Sequence, residues 1–99
     1  MFRHIVLLTL REDATEADRD AIVAELRTLP DLVPTIRAYD IGLDAGLNAG
    51  NATISVVADF DDADGYLTYR DHPDHQRVIA EHIAPVLAAR SAIQYERVG

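Results

Sequence analysis

The chain reads as an α+β protein of ferredoxin-like type: a four-stranded antiparallel sheet in the order βαββαβ, with helices on one face. Three observations carry this. Segments near the start, middle and end alternate side chains at the period of a strand, and two stretches between them carry apolar residues at helical spacing. The 99 residues are 48% hydrophobic and 26% charged, a globular composition that fits a single domain spanning 1–99.

The first strand is Phe2 to Leu10 (FRHIVLLTL). It puts Phe2, His4, Val6, Leu8 and Leu10 on one face and Arg3, Ile5, Leu7 and Thr9 on the other, so both faces are largely apolar. Thr15 followed three residues on by Asp18 has the spacing of a capping box. Ile22, Val23, Leu26 and Leu29 then predict a helix from Glu16 to Leu29, ended by Pro30. Residues Thr35 to Leu43 form a second strand, and the glycines and asparagines from Gly42 to Asn51 turn the chain back.

Thr53 to Phe60 (TISVVADF) returns as the third strand, with Ile54, Val56, Ala58 and Phe60 on one face. Its other face, Thr53, Ser55, Val57 and Asp59, is small and polar and is expected to meet water or a ligand. Asp61, Asp62 and Asp64 cap a helix that continues through Tyr66, Leu67 and Tyr69. Pro73 restarts it, forcing His72 out of the α region, and the pattern predicts a second helix from Pro73 to Arg90. Pro85 should bend that helix and strand the carbonyl of Glu81, and Ala92 to Val98 alternates as the last strand.

Two helical segments cover only one sheet face, yet the first strand is apolar on both. A second copy of the chain is the expected cover, giving a homodimer. Seventeen acidic against nine basic residues, net charge −8, argue against nucleic acid or an anionic membrane as partner. The absence of cysteine removes disulfides and thiolate chemistry. The longest apolar run, Ile5 to Leu8, is too short for a membrane span, and the first residues lack a signal peptide's pattern. The expectation is a soluble, cytoplasmic protein whose partner besides itself is a small molecule.

Projected at about 100° per residue, the helix from Pro73 gathers Val78, Ile79, Ile83, Val86 and Leu87 on one arc, and His75 and His82 fall inside it. A neutral imidazole at His75 is suited to proton abstraction near neutrality. An inward histidine is more commonly satisfied by a backbone carbonyl, which is the reading kept for His82, about two turns away. Tyr66 and Tyr69 would complete the core, or Tyr69 would donate to a substrate oxygen. His4, among aliphatic neighbours on the first strand, matters only if it joins them. His72 and His75 do not keep a metal-ligand spacing, and the aspartates before the helix cap it better than they bind a cation. Neither a phosphate-binding glycine loop nor a nucleophile elbow is present. No metal and no cofactor are expected.

The first-strand HIVLLTLR (His4 to Arg11), the VVADFDD run (Val56 to Asp62) and YRDHPDH (Tyr69 to His75) together resemble the stress-responsive α/β-barrel (Dabb) family, over almost the whole chain. The resemblance implies ferredoxin-like subunits whose sheets close face to face into a dimeric α/β barrel. The family includes the plant polyketide cyclase olivetolic acid cyclase, which closes a linear tetraketide by a C2–C7 aldol condensation. Its catalytic tyrosine and histidine resemble Tyr69 and His75, and its first-strand histidine resembles His4. Carried over, His75 is the base that removes an activated α-proton, Tyr69 steadies the enolate or carbonyl oxygen, and His4 shapes or polarises the pocket, with no metal or organic cofactor. The resemblance implies a small-molecule-binding homodimer for aromatic or polyketide-like ligands, with cyclase or lyase chemistry. A non-enzymatic stress or oligomerisation protein and a cofactor-free monooxygenase of aromatic polyketides stand beside it as alternatives.

Overall fold

The structure is a computed structural model that describes residues 1–98. Its elements are β1 (Phe2–Leu10), α1 (Glu16–Leu26), α2 (Leu29–Leu32), β2 (Ala38–Leu43), β3 (Ile54–Phe60), α3 (Ala63–Asp71), α4 (Pro73–Val78) and β4 (Leu87–Glu96). The sheet order is β2-β3-β1-β4, antiparallel throughout, as a split βαβ arrangement requires. A short dimension of 17 Å is the thickness of two layers, one sheet and one tier of helices.

Local chemistry sets the helix starts. Thr15 Oγ1 accepts from the Asp18 N–H while the Asp18 carboxylate accepts from the Thr15 N–H, a complete capping box. Asp62 caps α3 through the Gly65 N–H at 2.9 Å. Glycine at 65 also lets α3 settle on β3, because a Cβ there would stand 3.2 Å from the Phe60 Cβ. That close seat fixes the height of Tyr66 and Tyr69 above the sheet.

The core lies between sheet and helices. Ile22, Val23 and Leu26 of α1 share one buried cluster with Val6 and Leu8 of β1 and with Ile54 and Val56 of β3. The opposite sheet face carries Ile5, Leu7, Val57, Ile93 and Tyr95, with Leu7 41% and Ile93 56% exposed. No helix covers that face among the described residues.

Several expected boundaries move. The helix from Glu16 ends at Leu26 rather than Leu29, and Pro30 sits in the first turn of α2, where its missing N–H has no helical acceptor to lose. The second strand begins at Ala38 and the third at Ile54. The expected helix from Pro73 to Arg90 is the largest error. Only Pro73 to Val78 is α-helical; Ile79 to Ile83 widens into a π turn, in which the Ala84 N–H reaches back to the Ile79 carbonyl, and a 3₁₀ turn closes at Val86. Pro85 offers no N–H for the next α-helical bond and its ring crowds the preceding turn, so the helix unwinds before it. The last strand therefore starts at Leu87, five residues earlier than Ala92, and ends at Glu96.

Candidate functional site

The break between α3 and α4 builds the centre of the site. His72 is extended (φ −63°, ψ 134°) because Pro73 excludes it from the helical region. In a continuous helix the Asp74 N–H would bond the Arg70 carbonyl; here it bonds His72 Nδ1 at 3.1 Å. The freed Arg70 carbonyl takes His75 Nδ1 at 3.1 Å and the Gln76 amide at 2.6 Å. A carbonyl only accepts, so His75 carries its proton on Nδ1 and keeps the lone pair of Nε2 free. Desolvation holds the His75 pKa below the ordinary 6.5 against the raising effect of the Arg70 carbonyl, and the charge of Arg90 adds to the lowering. The imidazole is neutral at pH 7.

Tyr69 lies against that ring, with centroids 4.1 Å apart and planes at 32°. Its side chain is buried, and its hydroxyl meets the Tyr39 hydroxyl of β2 at 2.9 Å. Burial pushes the Tyr39 hydroxyl up to about 12 and the Tyr69 hydroxyl higher still, so both remain protonated donors in the physiological range.

His4 is buried on the same side of the sheet, its ring 4.9 Å from Tyr66 and 6.1 Å from Tyr69. The Gln94 amide nitrogen on β4 stands 2.8 Å from His4 Nδ1, directly across the ladder. An amide nitrogen donates, so Nδ1 accepts and the proton of neutral His4 is on Nε2. No buried side-chain polar atom is left unpartnered among the described residues, and His4 Nε2 has no protein partner, so it opens onto accessible space. Burial, then the charges of Arg90 and His75, lower the His4 pKa to about 4. The two imidazoles are thus complementary: His75 offers a lone pair and His4 an N–H.

They share a cavity of about 230 Å³ between the sheet and the helices, with Val6, Leu8 and Val56 as its floor and Tyr69, Ile79 and Ile83 above. The structure thus brings together all three sequence-predicted residues, His4, Tyr69 and His75. The cavity lies on the opposite side of the sheet from Ser55, Val57 and Asp59. Of the expected polar face, Thr53 and Ser55 border a wide, shallow depression beside the hairpin loop, and Asp59 is buried beneath Arg3, whose guanidinium binds it at 2.7 and 2.9 Å. His4, His75, Tyr39, Tyr66 and Tyr69 all lie on the helix side. His82 is not in the cavity; its Nε2 stands 3.8 Å from Glu25 of α1. No group of three His, Asp or Glu side chains is placed to hold a metal among the described residues. Tyr39, Gln94 and Arg90 were missed, because their approach to the site depends on strand register and not on any local motif.

The profile of the stress-responsive A/B barrel domain matches residues 2–97. The chain belongs to that family. The ferredoxin-like fold and the tyrosine and histidine run read from the sequence agree with this membership. Among solved structures, a dimeric ferredoxin-like protein from Thermobifida fusca YX is 41% identical, with a TM-score of 0.86 over 95% of this chain and 88% of that one. A dimeric protein of ferredoxin-like fold from Bacteroides fragilis is 27% identical, with a TM-score of 0.83 over 97% and 95%. The hydroxynitrile lyase of Passiflora edulis shares the fold at 20% identity, with a TM-score of 0.81 over 95% and 90%. No curated protein sequence matches the chain. No helix among the described residues is long and apolar enough to cross a membrane.

Proposed function

We propose that the chain is a homodimeric, cofactor-independent enzyme of the cyclase or lyase type, with one small-molecule cavity in each protomer. The observation that carries this is the free Nε2 lone pair of neutral His75, fixed by the Arg70 carbonyl beside Tyr69 in a mostly apolar cavity. Such a base suits removal of a proton from carbon next to a carbonyl. The electron pair moves onto the carbonyl oxygen, where the Tyr69 hydroxyl and His4 Nε2–H are the available donors. The enolate carbon then attacks a second carbonyl of the same molecule, and the resulting alkoxide recovers the proton from His75. A linear polyketide-like molecule, which carries several carbonyls with acidic C–H bonds between them, meets those requirements. In lyase chemistry His75 takes the proton of a hydroxyl, a carbon–carbon bond breaks as the carbonyl forms, and the departing carbanion, such as cyanide, takes that proton back from His75; the Passiflora neighbour is a hydroxynitrile lyase on the same fold.

The homodimer is supported by the uncovered apolar sheet face and by the dimeric Thermobifida protein at 41% identity. Pairing through that face leaves the cavity on the outer, helical side of each sheet.

The test is the product profile of the purified protein with a panel of linear β-polyketo thioesters and aryl cyanohydrins. Turnover is expected with at least one class, lost in His75→Ala and reduced about a hundredfold in Tyr69→Phe, within the range ascribed to one oxyanion donor. Identical profiles for the protein, both variants and buffer would remove catalysis and favour the binding or oligomerisation role.

A further inference from the structure

The chain carries 17 acidic and nine basic residues, so a surface chosen at random is acidic. The cavity is the reverse. Its wall holds no aspartate or glutamate, and it includes Arg70 and Arg90. Arg70 is neutralised by a two-pronged contact with Asp71, at 2.8 and 3.1 Å. The Arg90 guanidinium has neither a hydrogen bond nor a carboxylate within 4 Å among the described residues. Of the nine arginines only Arg27 shares that condition, and Arg27 stands on the outer surface at the end of α1, away from the cavity.

The register shows why Arg90 belongs to the site. It pairs with Leu8 as Gln94 pairs with His4, so both project from β4 to the helix side of the sheet, four residues apart. Gln94 orients the imidazole, while Arg90 supplies a cation at the wall of an apolar space. An unpaired guanidinium there is a ready partner for a planar anion, which it can grip with two parallel N–H donors.

We propose that Arg90 is a specificity-determining anchor for a carboxylate, so that the ligand of this cavity is a small apolar acid with its acidic group at Arg90 and its body over Val6 and Val56. This rests on the cavity being the ligand site, as proposed above. The charge of Arg90 is felt at both imidazoles, which it drives toward the neutral form. A bound carboxylate offsets that charge, so the titration of His75 moves upward when the anchor is filled.

The test uses the full chain and a matched pair of probes, 4-ethylbenzoate and 4-ethylbenzamide, which share a body and differ in charge. Binding is followed at pH 7 by titration calorimetry and by NMR shifts at His4, Tyr69 and His75. The benzoate is expected to bind about tenfold or more tightly than the amide, the advantage shrinking with added salt. Arg90→Gln, on an exposed strand position, should equalise the two probes while still binding the amide, and Arg70→Gln should keep the preference. Equal binding of both probes to the unaltered protein, or a preference that survives Arg90→Gln, overturns the anchor and leaves the cavity reading intact. Binding of neither probe at millimolar concentration overturns both.

Discussion

Replacing His4 by glutamine tests the electrostatics of the site through folding stability. Burial and nearby positive charge bring the His4 pKa from the ordinary 6.5 to about 4. Between those values the unfolded chain binds a proton that the folded chain refuses, so acidification favours unfolding. Each pH unit in that window costs about 1.4 kcal/mol. Relative to pH 7, the loss per protomer is about 2 kcal/mol at pH 5 and about 3 kcal/mol at pH 4, levelling off within the next pH unit. Glutamine keeps a hydrogen-bonding group opposite Gln94 and does not titrate. Urea unfolding of both proteins at matched protomer concentration, from pH 7 to pH 4, gives the difference directly; the carboxylates and His75 are common to both and largely cancel. The unaltered protein is expected to lose about 2 kcal/mol more than His4→Gln between pH 7 and pH 5. A difference that stays constant across this range refutes a neutral, buried His4, and so does a gain in stability on acidification.

Three further outcomes follow from the same geometry. Tyr39→Phe removes the partner of the Tyr69 hydroxyl and should cost about 1 kcal/mol of stability in urea, since the hydroxyl it leaves behind still borders the cavity. Leu7→Glu places a charge at the middle of the open sheet face, and light scattering should show the dimer replaced by monomer with the circular dichroism spectrum retained; an unchanged dimer would mean that this face is not the interface. Asp59→Asn deprives Arg3 and Arg97 of their shared carboxylate and should lower the urea midpoint at pH 7. Because those arginines hold the Asp59 pKa below the usual carboxylate value, that deficit should narrow as pH falls through the Asp59 titration.

The sheet, the capped helices and the face of β1 that carries His4 were legible in the sequence, because period, caps and proline signals are local. The His72-Pro73 step was legible too, and its consequence for the Arg70 carbonyl follows from elementary helix geometry. The helix drawn through to Arg90 failed because Val86 and Leu87 continue the apolar arc, and periodicity alone does not weigh the donor that Pro85 lacks. That error hid β4's true start and with it Arg90, placed on a helix when it belongs to a strand facing Leu8. Gln94 and Tyr39 were out of reach for another reason. Alternation says which residues share a face, but only register says that Gln94 lies opposite His4, and only packing brings the Tyr39 hydroxyl to Tyr69.

Nitrogen-15 NMR of the histidine side chains reads the central arrangement most directly, because the ring shifts and their couplings report which nitrogen holds the proton. At pH 7 His75 should be neutral with the proton on Nδ1, His4 neutral with the proton on Nε2, and both should titrate below 6.5. A His75 protonated on Nε2, or carrying both protons at pH 7, would leave no lone pair in the cavity and contradict its role as a base.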